Sequence, residues 1–248
     1  MTSSTSDHWG DRFVILRMDS SVKRKGPGYK AIINTGQELR MREELAEAVA
    51  GVLEQLLFGA ATRPTPRETK RLLAAADLVT LCRTGVDYDY RGNVIDAHAP
   101  EMPTRLAKQL VQVLRGACAI GMPRAEALRL ALRCARDSMP PLRLAILEDV
   151  ASHPHGRTRD IRQRLNKPYN TVDRQLQAFH MLGVLDCEEV EMGEDRNGRS
   201  RSTWYYSVAK AINPRAISIP DLLPHRDLGS KGIATHKSGT EKDRGNTA

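Results

Sequence analysis

Several classes of protein are disfavoured by what this sequence lacks. Aromatic residues make up only 4% of its 248 residues, whereas the strands of β-sandwiches and barrels draw heavily on aromatic and β-branched side chains. The sequence contains no run of about 18 apolar residues, so it offers no candidate transmembrane helix. Its polar start shows no signal-peptide pattern, and we therefore expect a cytoplasmic protein without a membrane partner.

Motifs for catalysis, metal binding or phosphate binding are also missing. The four cysteines lie far apart, without the spacing of zinc or redox sites, so we expect reduced, packed thiols. There is no Gly-x-Ser-x-Gly elbow and no Gly-x-x-x-x-Gly-Lys-Ser/Thr phosphate loop. The acidic loop with Asp87, Asp89, Asp96 and His98 lacks the glycine and distal glutamate of a calcium loop. We expect no enzyme, no cofactor and no bound metal.

Positive charge is what the sequence has in excess. It contains 38 lysines and arginines against 30 aspartates and glutamates, a formal net charge of +8. Such an excess indicates a polyanionic partner, which is nucleic acid or an anionic membrane surface. Hydrophobic residues make up 40% of the chain, enough to build a folded core.

The first part of the chain predicts helices. Apolar residues recur at steps of three and four through residues 37–138, and Thr65-Pro66-Arg67-Glu68 has the pattern of a helix capping box. An alternating stretch at 84–101 predicts a short hairpin or an ordered loop. Before this helical domain, residues 1–36 contain one strand candidate, 13–16, and a Gly-Pro-Gly turn signal at 26–28.

Residues 139–210 predict a second domain, which begins at Pro140-Pro141. The pattern is a helix, a short helix capped by Thr158, a turn, a longer helix capped by Asn170, and a two-stranded hairpin. This is the order of a winged helix-turn-helix. We therefore predict a mainly α fold, in which a helical bundle-like domain precedes a winged helix with a small β-hairpin wing. Residues 211–248 are predicted to form a flexible tail.

The third helix of this second domain is the candidate DNA reader. Val172, Leu176 and Phe179 form its buried stripe, and we expect its amino-terminal turn and opposite side, including Gln177, to be exposed. Asparagine and glutamine can pair with adenine and arginine with guanine, while threonine, tyrosine, lysine and arginine can reach phosphates. The acidic strand at 186–195 is expected to point away from DNA, or to meet the helical domain or a partner. The candidate DNA-binding residues are Arg157, Arg159, Lys167, Tyr169, Asn170, Thr171, Arg174, Gln175, Arg196, Arg199 and Arg201.

Two resemblances accompany these patterns. The segments 158–161, 170–176 and 182–185 resemble the winged-helix domains of MarR- and ArsR-type bacterial regulators. Residues 11–138 resemble, less specifically, the segment after the core of phage- and plasmid-type AAA+ ATPases, where a helical lid precedes a winged helix. The second resemblance implies that Arg105 sits where a lid arginine approaches nucleotide. Because the phosphate loop is missing, we expect Arg105 to be a surface or interface arginine and the chain alone to hydrolyse no ATP.

Three functional hypotheses remain open. The first is sequence-selective binding of double-stranded DNA by a transcriptional regulator, with a homodimer as a candidate assembly because such regulators often read two half-sites. The second is the lid and DNA-binding end of an AAA+ ATPase of replication or mobile-element type, which would require a separate core as its partner. The unpaired strand at 13–16 favours this second hypothesis. The third is a protein-interaction adaptor, which the acidic strand and the tail favour.

Overall fold

The computed structural model describes residues 14–18, 25–56, 62–194 and 200–219. The chain is mainly helical, as predicted, and none of the described helices is long and apolar enough to cross a membrane. The described elements are, in chain order, α1 (Lys25–Asn34), α2 (Glu38–Glu54), α3 (Pro66–Arg83), β1 (Val86–Tyr88), β2 (Val94–Ala97), α4 (Thr104–Ala119), α5 (Arg124–Asp137), α6 (Pro141–Ser152), β3 (Gly156–Arg157), α7 (Thr158–Leu165), α8 (Tyr169–Met181), β4 (Leu185–Glu194) and β5 (Ser200–Val208), with short 3-10 turns at Thr35–Gln37 and Pro214–Ile217.

The amino-terminal part differs from the prediction in two places. The Gly-Pro-Gly segment around Pro27 lies in the first turn of α1 and not in a separate turn. Proline is tolerated there because the first N–H groups of a helix have no acceptor within it. The strand predicted at 13–16 is also wrong where the structure describes it, since residues 14–18 have no regular secondary structure. Side chains at the end of α5 accept hydrogen bonds from the backbone of this segment. The Ile15 N–H donates to Ser138 Oγ at 3.3 Å, and the Arg17 N–H donates to Asp137 Oδ2 at 2.9 Å.

Helices α3, α4 and α5 pack together, and α3 begins where the sequence predicts. Thr65 Oγ1 accepts from the Glu68 N–H at 3.3 Å, and Glu68 Oε2 accepts from the Thr65 N–H at 2.7 Å. The predicted capping box is therefore confirmed. The stretch that follows α3 forms an antiparallel hairpin of β1 and β2, in which Val86 lies opposite Ala97.

Glu68 also binds Arg124, and this pair makes a pH-dependent contribution to stability. The Arg124 guanidinium donates to both carboxylate oxygens, at 2.8 and 2.6 Å, and lowers the pKa of Glu68 from 4.5 to about 2. Because the pKa is lower in the folded state, the stabilisation is complete above pH 4.5 and is lost as the pH falls toward 2.

We expect Glu68→Gln to lower the free energy of unfolding by about 1–2 kcal/mol at pH 7. Urea unfolding at pH 7 and pH 3 checks this, because the difference from the parent chain should shrink at pH 3; an equal difference at both values would contradict it.

The second half of the chain forms three helices and a three-stranded antiparallel sheet of order β3-β5-β4. Strand β3, at one edge of this sheet, is only two residues long, too short to show an alternating pattern that predicts a strand. Two predicted caps are wrong. Pro168 and not Asn170 precedes α8, and Thr158 is the first residue of α7 and donates its hydroxyl to Asp173 Oδ1 at 3.2 Å.

The buried apolar residues form one contiguous core from Leu72 to Ile217. This core continues across Pro140-Pro141, where a domain boundary is predicted from the sequence. Residues 211–219, which the composition placed in the tail, also belong to the packed structure: Ala216 and Ile217 are buried, and Arg71 donates to the Ser218 carbonyl at 3.0 Å. Residues 220–248 lie outside the described part of the chain.

Candidate nucleic-acid interface

Helix α8 buries one face and exposes the opposite one. Val172, Leu176 and Phe179 are all 0% exposed, which confirms the predicted inward stripe. With 3.6 residues per turn, successive residues are rotated by about 100°. Asn170 and Arg174 therefore lie roughly opposite the buried stripe, and both are exposed. We call these two residues the outward row of α8.

On one side of the outward row, a groove of about 580 Å³ separates α8 from α7 and the sheet. Arg159 is exposed at its rim, and Tyr169 and Trp204 expose 48% and 44% of their surface. The groove thus combines a cation with aromatic rings that are open to solvent. Its lining consists of Arg157, Thr158, Arg159, Tyr169, Asp173, Gln177, Met192, Ser202, Thr203, Trp204 and Tyr206.

Acidic neighbours neutralise part of the predicted basic surface. Arg157 donates to Asp160 at 2.7 and 3.2 Å, and this hydrogen bonding lowers the pKa of Asp160. Arg164 likewise donates to both oxygens of a carboxylate on α6, at 2.7 and 2.6 Å. Arg159 and Lys167 are exposed and form no salt bridge within the described residues. Among the basic residues predicted to grip phosphates from α7 and the turn after it, Arg159 and Lys167 therefore keep their charge available to a partner.

On the other side of the outward row, the β1–β2 hairpin contacts α8. Arg174 Nη2 lies 3.4 Å from the carbonyl oxygen of Arg91, and a Cβ atom built on Gly92 would overlap the Arg174 guanidinium. Gly92 has a φ of +84°, a backbone conformation that favours glycine. At the hairpin tip, Arg91 lies 5.0 Å from the centre of the Tyr90 ring, which is 89% exposed. The outward row of α8 therefore lies between the groove and this hairpin.

Gln175 does not belong to the outward row, although the sequence predicted it to be exposed. It is half-buried, and its Oε1 accepts from Arg143 Nε at 2.8 Å. Gln177 is half-buried as well, and its amide donates to Asp173 Oδ2 at 2.8 Å. Both side chains are thus engaged within the protein, so the exposed part of α8 is narrower than predicted.

Sequence reasoning missed Arg143, which holds α8 in place. This arginine is only 8% exposed, and it donates to the carbonyl oxygens of Cys82 and Thr84 at 2.8 and 2.6 Å as well as to Gln175. Burial lowers its pKa. A signal was present in the sequence, because Arg143 lies three residues before Ile146 on the apolar stripe of α6. An arginine in that position indicates a buried cation that needs hydrogen-bond partners.

The described part of the wing adds carboxylates to the edge of the groove. Residues directly opposite each other in an antiparallel pair lie on the same face of the sheet. Glu189 is opposite Trp204 and Glu191 is opposite Ser202, so both glutamates share the face that lines the groove. Asp186 and Glu188 lie on the other face. The predicted phosphate contacts Arg196 and Arg199 fall outside the described residues, and the structure describes only the backbone of Arg201.

The described residues bring together no metal-binding cluster, and all four cysteines are free thiols. Burial raises the pKa of Cys82 to about 12, which keeps this thiol protonated at neutral pH. Arg105, the arginine that the ATPase resemblance placed near nucleotide, is exposed and lies 3.5 Å from Glu101.

No protein-family profile matches this chain, and neither curated proteins nor solved structures show a significant similarity to it. The likenesses to MarR- and ArsR-type regulators and to AAA+ ATPases remain predictions from sequence patterns. The function of the chain is therefore inferred from its own residues.

Proposed function

We propose that this chain binds double-stranded DNA with sequence selectivity, most simply as a transcriptional regulator, and that residues 139–210 form a winged helix-turn-helix with α8 as recognition helix. The order α6, β3, α7, α8, β4, β5 with one small antiparallel sheet supports this assignment. The observation that carries the proposal is the exposed row of Asn170 and Arg174 beside the unneutralised charges of Arg159 and Lys167.

Helix α8 has the dimensions and chemistry of a major-groove reader. An α-helix with its side chains is about 10–12 Å wide, and the major groove of B-DNA is about 12 Å wide. Asn170 can pair with adenine through two hydrogen bonds, and Arg174 can pair with guanine in the same way. The contact with the Arg91 carbonyl limits where the Arg174 guanidinium can lie. The first turn of α8 contains no acidic residue and Pro168 provides no side-chain cap, so the first N–H groups of α8 can attract a phosphate.

The surroundings of α8 define the proposed path of the DNA backbone. Arg159 and Lys167 supply phosphate contacts on the α7 side, and Tyr169 and Thr171 reach phosphates from the first turn of α8. Glu189 and Glu191 repel phosphates from the β4 edge of the groove. The backbone is therefore proposed to run along α7, and the hairpin tip with Arg91 lies on the opposite flank of the major groove.

Selection of bound duplexes from a random pool, followed by fluorescence anisotropy, tests this function. We expect a preferred duplex to emerge, with a slope of log affinity against log salt of about −4 to −5, because about five phosphates are neutralised. Binding that does not change with salt would contradict the proposal, and so would the absence of binding to any duplex at low salt. The latter result would favour a protein-interaction adaptor.

The AAA+ alternative was favoured by the unpaired strand predicted at 13–16. The segment 14–16 forms no strand and is instead bound to the end of α5. Arg105 is paired with Glu101 in an exposed position. No described feature now favours a missing ATPase core over a self-contained DNA-binding protein.

A further inference from the structure

Helix α2 leaves a broad apolar face uncovered. Leu45, Val49 and Val52 recur at steps of four and three residues and are 64%, 47% and 50% exposed. Leu39 and Leu53 widen this face, and α2 buries none of its 17 residues. A helix of this length without tertiary packing is only marginally stable in water, and a contiguous exposed apolar surface marks an interaction site. We call Leu45, Val49 and Val52 the α2 stripe.

A second apolar surface lies between α3 and α4. A groove of about 460 Å³ is lined by Leu72, Leu73, Ala107 and Val111, with polar side chains at its ends. Leu73 is 48% exposed although it is surrounded by apolar neighbours. This α3–α4 groove extends over about two helical turns of α4, as the α2 stripe does on its own helix, and over about one turn of α3.

The two surfaces belong to segments of opposite charge. Helix α2 contains five glutamates and two arginines, a difference of −3. Helix α4 contains two arginines and one lysine and no acidic residue, which gives +3. Lys108 lines the groove itself and forms no salt bridge within the described residues. Association of α2 with the α3–α4 groove is therefore favoured by long-range attraction as well as by apolar burial.

We propose that the α2 stripe of one copy docks into the α3–α4 groove of a second copy, and that the exchange is reciprocal. Each chain then covers the two surfaces that it leaves exposed alone, under a closed two-fold symmetry. Over the two turns that the α2 stripe shares with the groove, a docked helix is about 11 Å long and about 10 Å wide, a footprint of roughly 110 Å². Two exchanged helices, counted on both partners, bury on the order of 450 Å², an area typical of weak interfaces. Direct pairing of α2 with its symmetry copy would bury about half of that area.

Sedimentation equilibrium of the full chain and two complementary variants tests the exchange. The stripe variant is Leu45→Asp with Val49→Asp, the groove variant is Leu73→Asp with Lys108→Glu, and Ile95→Asp with Ile120→Asp is a control at exposed apolar positions elsewhere. We expect the parent chain and the control to be dimers and each of the other two variants to be a monomer alone. An equimolar mixture of the stripe and groove variants should form a weaker dimer, because one intact helix still meets one intact groove.

Each alternative way of covering the α2 stripe and the α3–α4 groove predicts a different result. A groove variant that remains a dimer would overturn the exchange in favour of direct pairing between α2 helices. A parent chain that is monomeric would also overturn the exchange. So would an equimolar mixture that does not associate at about 0.2 mM, or at a concentration about 100-fold above the dissociation constant of the parent dimer. An unchanged circular dichroism spectrum and a cooperative thermal transition of each variant show that the fold is intact, while the midpoint of the monomeric variants should fall because association stabilises the parent chain. None of these outcomes depends on whether the chain binds DNA.

Discussion

Replacing Arg143 with methionine is expected to lower the free energy of unfolding by about 3–4 kcal/mol, because two buried carbonyl oxygens and one half-buried side-chain acceptor lose their donor. The guanidinium donates to the carbonyl oxygens of Cys82 and Thr84 and to Gln175 Oε1, and it lies 5.8 Å from the centre of the Phe179 ring. Methionine retains much of the volume, so the loss reports mainly on the hydrogen bonds and not on a cavity. Urea unfolding of the variant and the parent chain measures the difference.

Two further variants separate this effect from a general loss of charge. Arg129→Met removes an arginine whose ion pair with Glu126 is long, at 3.8 Å, and we expect a change below about 0.5 kcal/mol. Arg143→Lys keeps the charge but has a different donor geometry, so its loss of unfolding free energy should lie between those of Arg129→Met and Arg143→Met. A loss below about 1 kcal/mol for Arg143→Met would show that the three acceptors find other partners and that α8 is held mainly by apolar packing.

Reversing the charge at Arg159 and Lys167 together is expected to weaken DNA binding about 100-fold at 0.1 M salt. Both side chains are exposed and without a salt bridge in the described structure, so each is available to a phosphate. The two new carboxylates would repel the same phosphates. The slope of log affinity against log salt should become shallower by about 2, because two fewer counterions are released.

A matched control distinguishes position from net charge. Arg67→Glu with Lys210→Glu changes the formal charge by the same amount, and both of these residues are exposed and outside the proposed interface. We expect the control to weaken binding less than about threefold at the same salt. Equal losses in the two double variants would mean that DNA responds to the overall charge of the protein and not to the surface around α7 and α8.

Features that depend on neighbouring residues could be predicted from the sequence. The capping box of Thr65 and Glu68 lies within four residues, and its two hydrogen bonds form where the pattern places them. The inward stripe of α8 follows from spacing alone, because Val172, Leu176 and Phe179 recur with the helical period. The β1–β2 hairpin was likewise indicated by alternation and a turn sequence, although its contact with Arg174 was not.

Features that depend on distant residues could not be predicted in the same way. Gln175 turns inward because Arg143, 32 residues earlier, donates to it. Segment 13–16 has a strand-like composition, but the N–H groups of Ile15 and of the adjacent Arg17 donate to side chains at the end of α5, more than 100 residues later. The length of β3 is set by its pairing with β5, and two residues are too few to show a period. In each case the partner lies outside the window over which a sequence pattern is informative.

The central claim is that the outward row of α8 reads bases, and the ratio of affinities for selected and scrambled duplexes tests it most directly. We expect the parent chain to prefer the selected duplex by about 10³-fold or more. Arg174→Ala should cost about 1–3 kcal/mol on the selected duplex, relax the preference at one base pair, and leave binding to the scrambled duplex nearly unchanged. An equal loss on both duplexes would make Arg174 a phosphate contact, and a parent chain with no preference between them would contradict sequence-selective recognition by α8.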